Sequence, residues 1–292
     1  MNSNIKLVLF SGEGRLGNQL IQIAALRMLY PNAYIAAIGC KQAIQLLEPQ
    51  RIGLGIKSKY FEKFIRKIVF PLLLTPIAKH LRIFHYCRER SVNRPQNEEF
   101  TGDPIMKQGL LPICIAEKMY FQNFTSLLDK ESFKNLKINE NLTKTQEKSN
   151  PIPHKSLTIH IRRGDYLNFT THGLSNLTLD EGYYRSAIKH FYNLTSATIE
   201  KTYIITDDIN WCKEKFSDIK DIEYRSSNEL ADFIFIASSE NIICSNSTFS
   251  LTASLLSEVN AITIAPEYWL GHNHKVWIPT QIKIRDPRYI YV

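Results

Sequence analysis

Short apolar strands that alternate with helical stretches and end in polar clusters constrain this chain more than any other feature. In the C-terminal half, LTIHI ending at Arg162, TYIIT at Asp207, NIICS at Asn246 and AITIA at Pro266 each read as a buried strand. Helical patterns fill the gaps, notably 208–216, 229–238 and 248–257. The N-terminus repeats the scheme: strand IKLVLF, Gly-rich loop SGEGRLG, a helix from Asn18 through Leu20, Ile23, Ala24 and Met28 that stops before Pro31, then a strand over Tyr34–Ile38. Such alternation predicts the α/β class, parallel sheets covered by helices. Asn139 to His154 is polar, nearly without apolar residues, and contains two prolines, which predicts a linker. The expected organisation is two Rossmann-like domains, 1–150 and 151–292, facing a central cleft. The middle, Lys41 to Phe133, gives no order.

Composition narrows the class. Apolar residues make up 44% and charged residues 22%, which excludes disorder, collagen-like repeats and coiled coil. Five dispersed cysteines without a C-x-x-C pair argue against a disulfide framework or a zinc site and for a reducing cytosol. The apolar run Ile5–Phe10 is too short for a secretion signal, so the N-x-[ST] triplets are expected to be unmodified. The +8 net charge is local: ten Lys or Arg and two Glu between Lys57 and Arg94 account for all of it. Inside that segment IVFPLLLTPIA is too short and too rich in proline to span a bilayer. A solvated basic face and peripheral contact with anionic lipid, on the inner membrane face, both fit. No motif supports nucleic-acid binding.

The strand ends carry the chemistry. Gly12, Gly14 and Gly17 match G-x-G-x-x-G, but no acid follows from Gly14 through Leu47 to bind a ribose, which disfavours a nicotinamide cofactor. What remains is a tight loop at a helix start, with Asn18 either meeting a ligand or capping the helix. In HIRRGDYL, His160 and Arg162 share one strand face, and an arginine fork matches phosphate oxygens bidentately. Arg163 and Asp165 read equally as site residues or as a salt bridge. Asp207 and Asp208 suit a helix cap, a carboxylate that orients an arginine, or a metal-binding pair. SNSTFS, with Ser247, Thr248 and Phe249, suits a phosphate cradle at a helix start. Asp232, alone in the apolar ADFIFIAS, needs a ligand N–H or an arginine.

Together, GRLGNQ, HIRRGDYL, TDDINWCKE, SNSTFS and IAPEYW resemble the ordered motifs of bacterial α-1,2-fucosyltransferases, glycosyltransferase family 11, and GLSNLTLDEGYYRSAI resembles the spacer after their arginine motif. The chain departs from that pattern at Leu251 and Thr252, where the family commonly has tryptophans, and in its GEGRLGNQ loop. The resemblance implies a GT-B fold with an acceptor-side first domain and a GDP-fucose-binding second domain. It further implies inversion at the anomeric carbon, no required metal or cofactor, and a galactose-terminated acceptor of surface-polysaccharide or O-antigen type, carried on lipid or free. By it, Arg162 binds the diphosphate and His160 the nucleotide. Asp165 and Asn18 join Arg162 as the catalytic residues, and Gly17, Arg163, Asp207 and Asp208 complete the donor site. Asp232 pairs with guanine, and Ser247, Thr248 and Phe249 hold the phosphates. Asp165, Glu13 and His172 are candidates for the base. Another GDP-sugar transferase of the same clan and a non-catalytic nucleotide- or glycan-binding protein are the alternatives.

Overall fold

A computed structural model describes residues 4–49, 51–53, 59–88, 104–117, 120, 133–149, 151, 155–195, 198–259, 261–278, 282–284 and 286–292. The described residues form two compact units, one up to Asn139 and the other from Glu140. Each is built round its own sheet, and the α/β class of GT-B type is the one the strand pattern and the motifs lead one to expect.

The first unit opens as predicted, with β1 (Leu7–Ser11), α1 (Leu16–Leu29) and β2 (Tyr34–Ile38), the strands parallel and in register from Leu7 opposite Tyr34. The stretch from Lys41, expected to be irregular, is ordered wherever it is described. It holds α2 (Lys41–Leu46) and then α3 (Lys59–Phe64), a π turn (Ile65–Val69) and α4 (Phe70–Leu73), which follow one another without a break. Pro71 brings no N–H and would crowd the carbonyl of Lys67, and the wider π turn just before it makes room. After α5 (Pro76–His80) come β3 (His85–Arg88), β4 (Ile105–Lys107) and β5 (Ile113–Ala116). The sheet order is β2-β1-β5-β3-β4, antiparallel only at β4, so β5 lies at the centre. Elements of three to six residues fall below the length at which periodicity can be recognised in the sequence.

The second unit begins with a correction: α6 (Glu140–Ser149) occupies most of the predicted linker. Its Glu, Lys, Gln and Leu are good helix formers, Lys144 bonds Glu140 one turn back at 2.8 Å, and both prolines lie beyond its end. There follow β6 (Ser156–Ile161), α7 (Glu181–Leu194), β7 (Lys201–Thr206), α8 (Ile209–Phe216), β8 (Ile222–Arg225), α9 (Glu229–Ala237), β9 (Asn241–Ile243), α10 (Thr248–Leu256), β10 (Ile262–Ala265) and β11 (Tyr289–Tyr291). All six strands are parallel, in the order β11-β10-β9-β6-β7-β8.

β6 shows why this sequence makes a central strand. Its odd positions Leu157, Ile159 and Ile161 join a core with Tyr184, Phe191 and Phe216. Its even positions face polar partners: Thr158 bonds Ser239 at 2.7 Å and His160 bonds Ser245 at 2.8 Å. All five cysteines are free and buried, Cys40, Cys87 and Cys114 in the first unit and Cys212 and Cys244 in the second.

Candidate active site

From β6 the chain of the second unit first builds outward through β7 and β8, then returns to the other side of β6 with β9, β10 and β11. The strand order therefore reverses between β6 and β9, and ligands of open parallel sheets settle outside the carboxyl ends at such a point. The loops that leave those two ends are RRGD and SNSTFS.

Arg162 leaves β6 only 17% exposed, its guanidinium held by two carboxylates. Nε and Nη2 donate to one oxygen of Asp165, at 2.9 and 2.6 Å, and Nη1 reaches Asp207 at 2.7 Å. The salt bridge considered between Arg163 and Asp165 is not formed. A 3₁₀ turn over Gly164–Leu167 carries Asp165 back under Arg162, while Arg163, at the start of that turn, bonds Asp208 at 3.1 Å and lies 4.0 Å over the Trp211 ring. Asp207 also accepts the Arg163 backbone N–H at 2.9 Å, and Asp208 caps α8 by accepting from the Trp211 N–H at 3.1 Å. Of the three readings of this acid pair, capping and arginine positioning both hold. Among the described residues no three His, Cys, Asp or Glu side chains gather as metal ligands do.

His160 is buried, its ring 5.4 Å from Phe249. Burial, and then the nearby Arg162 charge, push its pKa down to about 3, so the ring is neutral at ordinary pH. Phe249 in turn meets Phe233 edge-on at 5.3 Å, next in sequence to Asp232. The Asp232 carboxylate accepts the Ser227 backbone N–H, at 3.0 and 3.2 Å from its two oxygens. Burial raises its pKa, while that N–H and the charge of Arg225 pull the other way. Its partner is thus a backbone N–H, with an arginine close by. Ser247 caps α10 by accepting the Phe249 N–H at 3.3 Å, leaving Thr248 and Phe249 half-buried in the first turn.

Two residues the motif reading passed over tie these loops together. Asn246, nearly fully buried, donates to the Leu177 carbonyl at 2.6 Å, and the Tyr166 hydroxyl donates to the Asn246 carbonyl at 3.3 Å. Both stand inside quoted motifs, and only the fold shows that they link three loops.

Gly17 and Asn18 belong to the first unit. Helix α1 starts at Leu16 with Arg15 at its cap, so Asn18 is not the cap; it lies in the first turn, folded back on Gly14. Gly14 has φ +71°, a backbone conformation that favours glycine, and a Cβ there would sit 2.4 Å from the Asn18 amide nitrogen and displace that side chain. Gln22 fixes the loop by bonding the backbone N–H and C=O of Glu13, both at 3.1 Å. Beside the loop lies a cavity of about 760 Å³ lined by Ser11, Glu13, Lys63, Arg66 and Phe70 among others. The remaining base candidate, His172, lies exposed in the turn between Thr171 and Leu174.

The family model for glycosyl transferase family 11 matches residues 116–283, more than half of the chain. The chain belongs to glycosyltransferase family 11. The family match takes in the second unit's arginine, acid-pair and SNSTFS loops, whereas the Gly-rich loop of the first unit lies outside it. Within the curated proteins the chain is 33% identical over 128 residues to an α-1,2-colitosyltransferase of Escherichia coli, and 24% identical over 123 residues to the O-antigen biosynthesis glycosyltransferase WbnK of Escherichia coli. These alignments take in 39% and 40% of this chain, and the chain spans about two fifths of the length of each relative (41% and 40%). In fold the family 11 chain is similar to the NodZ α-1,6-fucosyltransferase crystal soaked with GDP-fucose, with a TM-score of 0.51 at 12% identity over 90% of this chain and 95% of that one. A second structure, fucosyltransferase NodZ from Bradyrhizobium, gives 0.51 at 10% identity over 89% and 95%.

Proposed function

We propose that this chain transfers L-fucose from GDP-β-L-fucose to the 2-hydroxyl of a galactose in an oligosaccharide of surface-polysaccharide or O-antigen type, inverting the anomeric carbon. The observation that carries this reading is that the guanidinium of Arg162 follows β6 and the first turn of α10 follows β9, at the carboxyl ends of two neighbouring strands where the strand order of a family 11 chain reverses. Cleaving the sugar–phosphate bond puts negative charge on the departing GDP. A fixed cation and free helix N–H groups aimed there stabilise the transition state more than the ground state.

Asp165 takes the Nε–Nη2 edge of Arg162, the edge that a phosphate grips bidentately. Donor binding exchanges this carboxylate, itself 57% exposed, for the diphosphate. The released Asp165 is then available to accept the proton of the acceptor hydroxyl. Neutral His160 offers the nucleotide a hydrogen bond without competing charge, and Asp232 accepts the two N–H donors on the guanine edge. On this reading Asn18 acts with Arg162 and Asp165 in catalysis, Gly17 serves the donor, and the cavity of the first unit serves the acceptor side. The reaction as proposed needs no metal ion.

The experiment is transfer from GDP-fucose to a panel of galactose-terminated oligosaccharides, with linkage analysis of the product and a parallel arm in EDTA. An α-1,2 product that persists in the chelator is expected. GDP binding without transfer of any sugar would make the chain a binding protein, and loss in EDTA restored by Mg²⁺ would return Asp207 and Asp208 to a metal. The similarity to a colitosyltransferase favours one second reading, a different sugar on the same nucleotide, so other GDP-sugars belong in the panel.

A further inference from the structure

The helical run Lys59–Leu73 of the first unit is apolar on two sides. One side is accounted for: Phe70 is buried with Ile38, Tyr86 and Ile115, and Ile65, Leu73 and Leu74 pack round them. On the other, Phe64, Ile68 and Leu72 recur at four-residue intervals and are all exposed, Leu72 by 61%. Tyr60 (89%) precedes them at the same interval, and beyond the turn at 74–75 the short helix α5 and its cap add exposed Ile77 (75%) and Leu81.

With Phe61, seven exposed large apolar side chains fall within 22 residues, more than a surface in water ordinarily carries, and contiguous apolar patches mark contact sites. The surrounding charge says what kind. Lys63, Lys67 and Arg82 flank the row, and Glu62 is the one acid among the described residues of 59–88. Lys79 and Arg66 are engaged otherwise, with Glu117 and the Gly12 carbonyl. The segment around the row carries the net charge of the whole chain. A row of aromatic and aliphatic side chains edged with cations fits a plane that is apolar beneath and negative on top. No helix among the described residues is long and apolar enough to cross a membrane, so such contact lies along the surface.

We propose that this face docks on an anionic phospholipid bilayer, with the run from Tyr60 to Leu81 lying in the headgroup region. The proposal does not depend on which donor or acceptor the enzyme uses. Its test is co-sedimentation of the full chain with phosphatidylcholine vesicles, with and without phosphatidylglycerol. Pelleting is expected only with the anionic vesicles. Each cation engaged changes the partition about fivefold (about 1 kcal/mol), so Lys63→Gln with Lys67→Gln should weaken it by about 25-fold. Ile68→Ser with Leu72→Ser should also weaken it, circular dichroism verifying that both variants stay folded. Raising salt from about 0.1 M to about 1 M should release the protein, because the Debye length falls from about 10 Å to about 3 Å. Equal pelleting with both vesicles, none with either, or binding indifferent to the serine pair would overturn the proposal. So would a concentration-dependent dimer that the serine pair abolishes, which would make the face a contact between copies of the chain.

Discussion

Arg162 stands between two carboxylates, and its geometry separates the roles of its neighbours. Arg162→Lys cannot present two parallel N–H groups to a phosphate, so kcat should fall about a hundredfold or more while the fold persists. Asp165→Asn tests the exchange from the other side. It should tighten GDP binding, because the competing carboxylate is gone, and yet lower kcat, a split that calorimetry and initial rates measure together. His160 gives a pH signature. Its folded pKa of about 3 lies below the ordinary value of about 6.5, so the unfolded chain binds the proton between those limits and the folded chain does not. The stability linked to the neutral ring is complete above about pH 6.5 and is lost as pH falls toward 3. His160→Gln should flatten that slope by at most about 1.4 kcal/mol per pH unit, as urea melts over the same window would show. The sequence revealed that His160 and Arg162 share a strand face and that Arg162 is charged at a strand end. It did not reveal which acid each arginine takes, because that choice is made by the 3₁₀ turn at Gly164, a local geometry without a compositional signal.

At the level of elements, caps hold the site's helices in place. Ser247→Ala removes the side-chain acceptor at the start of α10 and should cost about 1 kcal/mol in a urea melt. Donor affinity should fall with it if the turn holds the phosphates as proposed. Ser247→Asp should restore the cap yet not the affinity, because it sets a second anion against the first. The strands of the second unit were legible because each is a short β-branched run closed by polar residues, and the helices between them because their apolar faces repeat. β8 and β11 escaped notice because they are edge strands of three or four residues carrying charged or aromatic side chains. α6 was hidden for the opposite reason: it is stabilised by propensity and i,i+4 pairing and presents no buried residue to give it an apolar period.

For the molecule as a whole, the α/β class follows from strand–helix alternation at both ends of the chain, whereas the centre of the first sheet did not, because β5 enters it from a stretch without periodicity. The dispersed, buried thiols give this architecture a direct readout. Burial raises their pKa to about 11 or 12 in every case, so at neutral pH almost none is thiolate, the form that reacts. The native chain should therefore ignore an alkylating reagent, and any label acquired must report opening of the segment that carries it. In pulsed alkylation across a denaturant gradient, read by mass spectrometry, Cys40, Cys87 and Cys114 are expected to become reactive as one group and Cys212 and Cys244 as another, each with its own midpoint. A single shared midpoint would instead mean that the two units melt as one cooperative body, obtained in either case without introducing a probe.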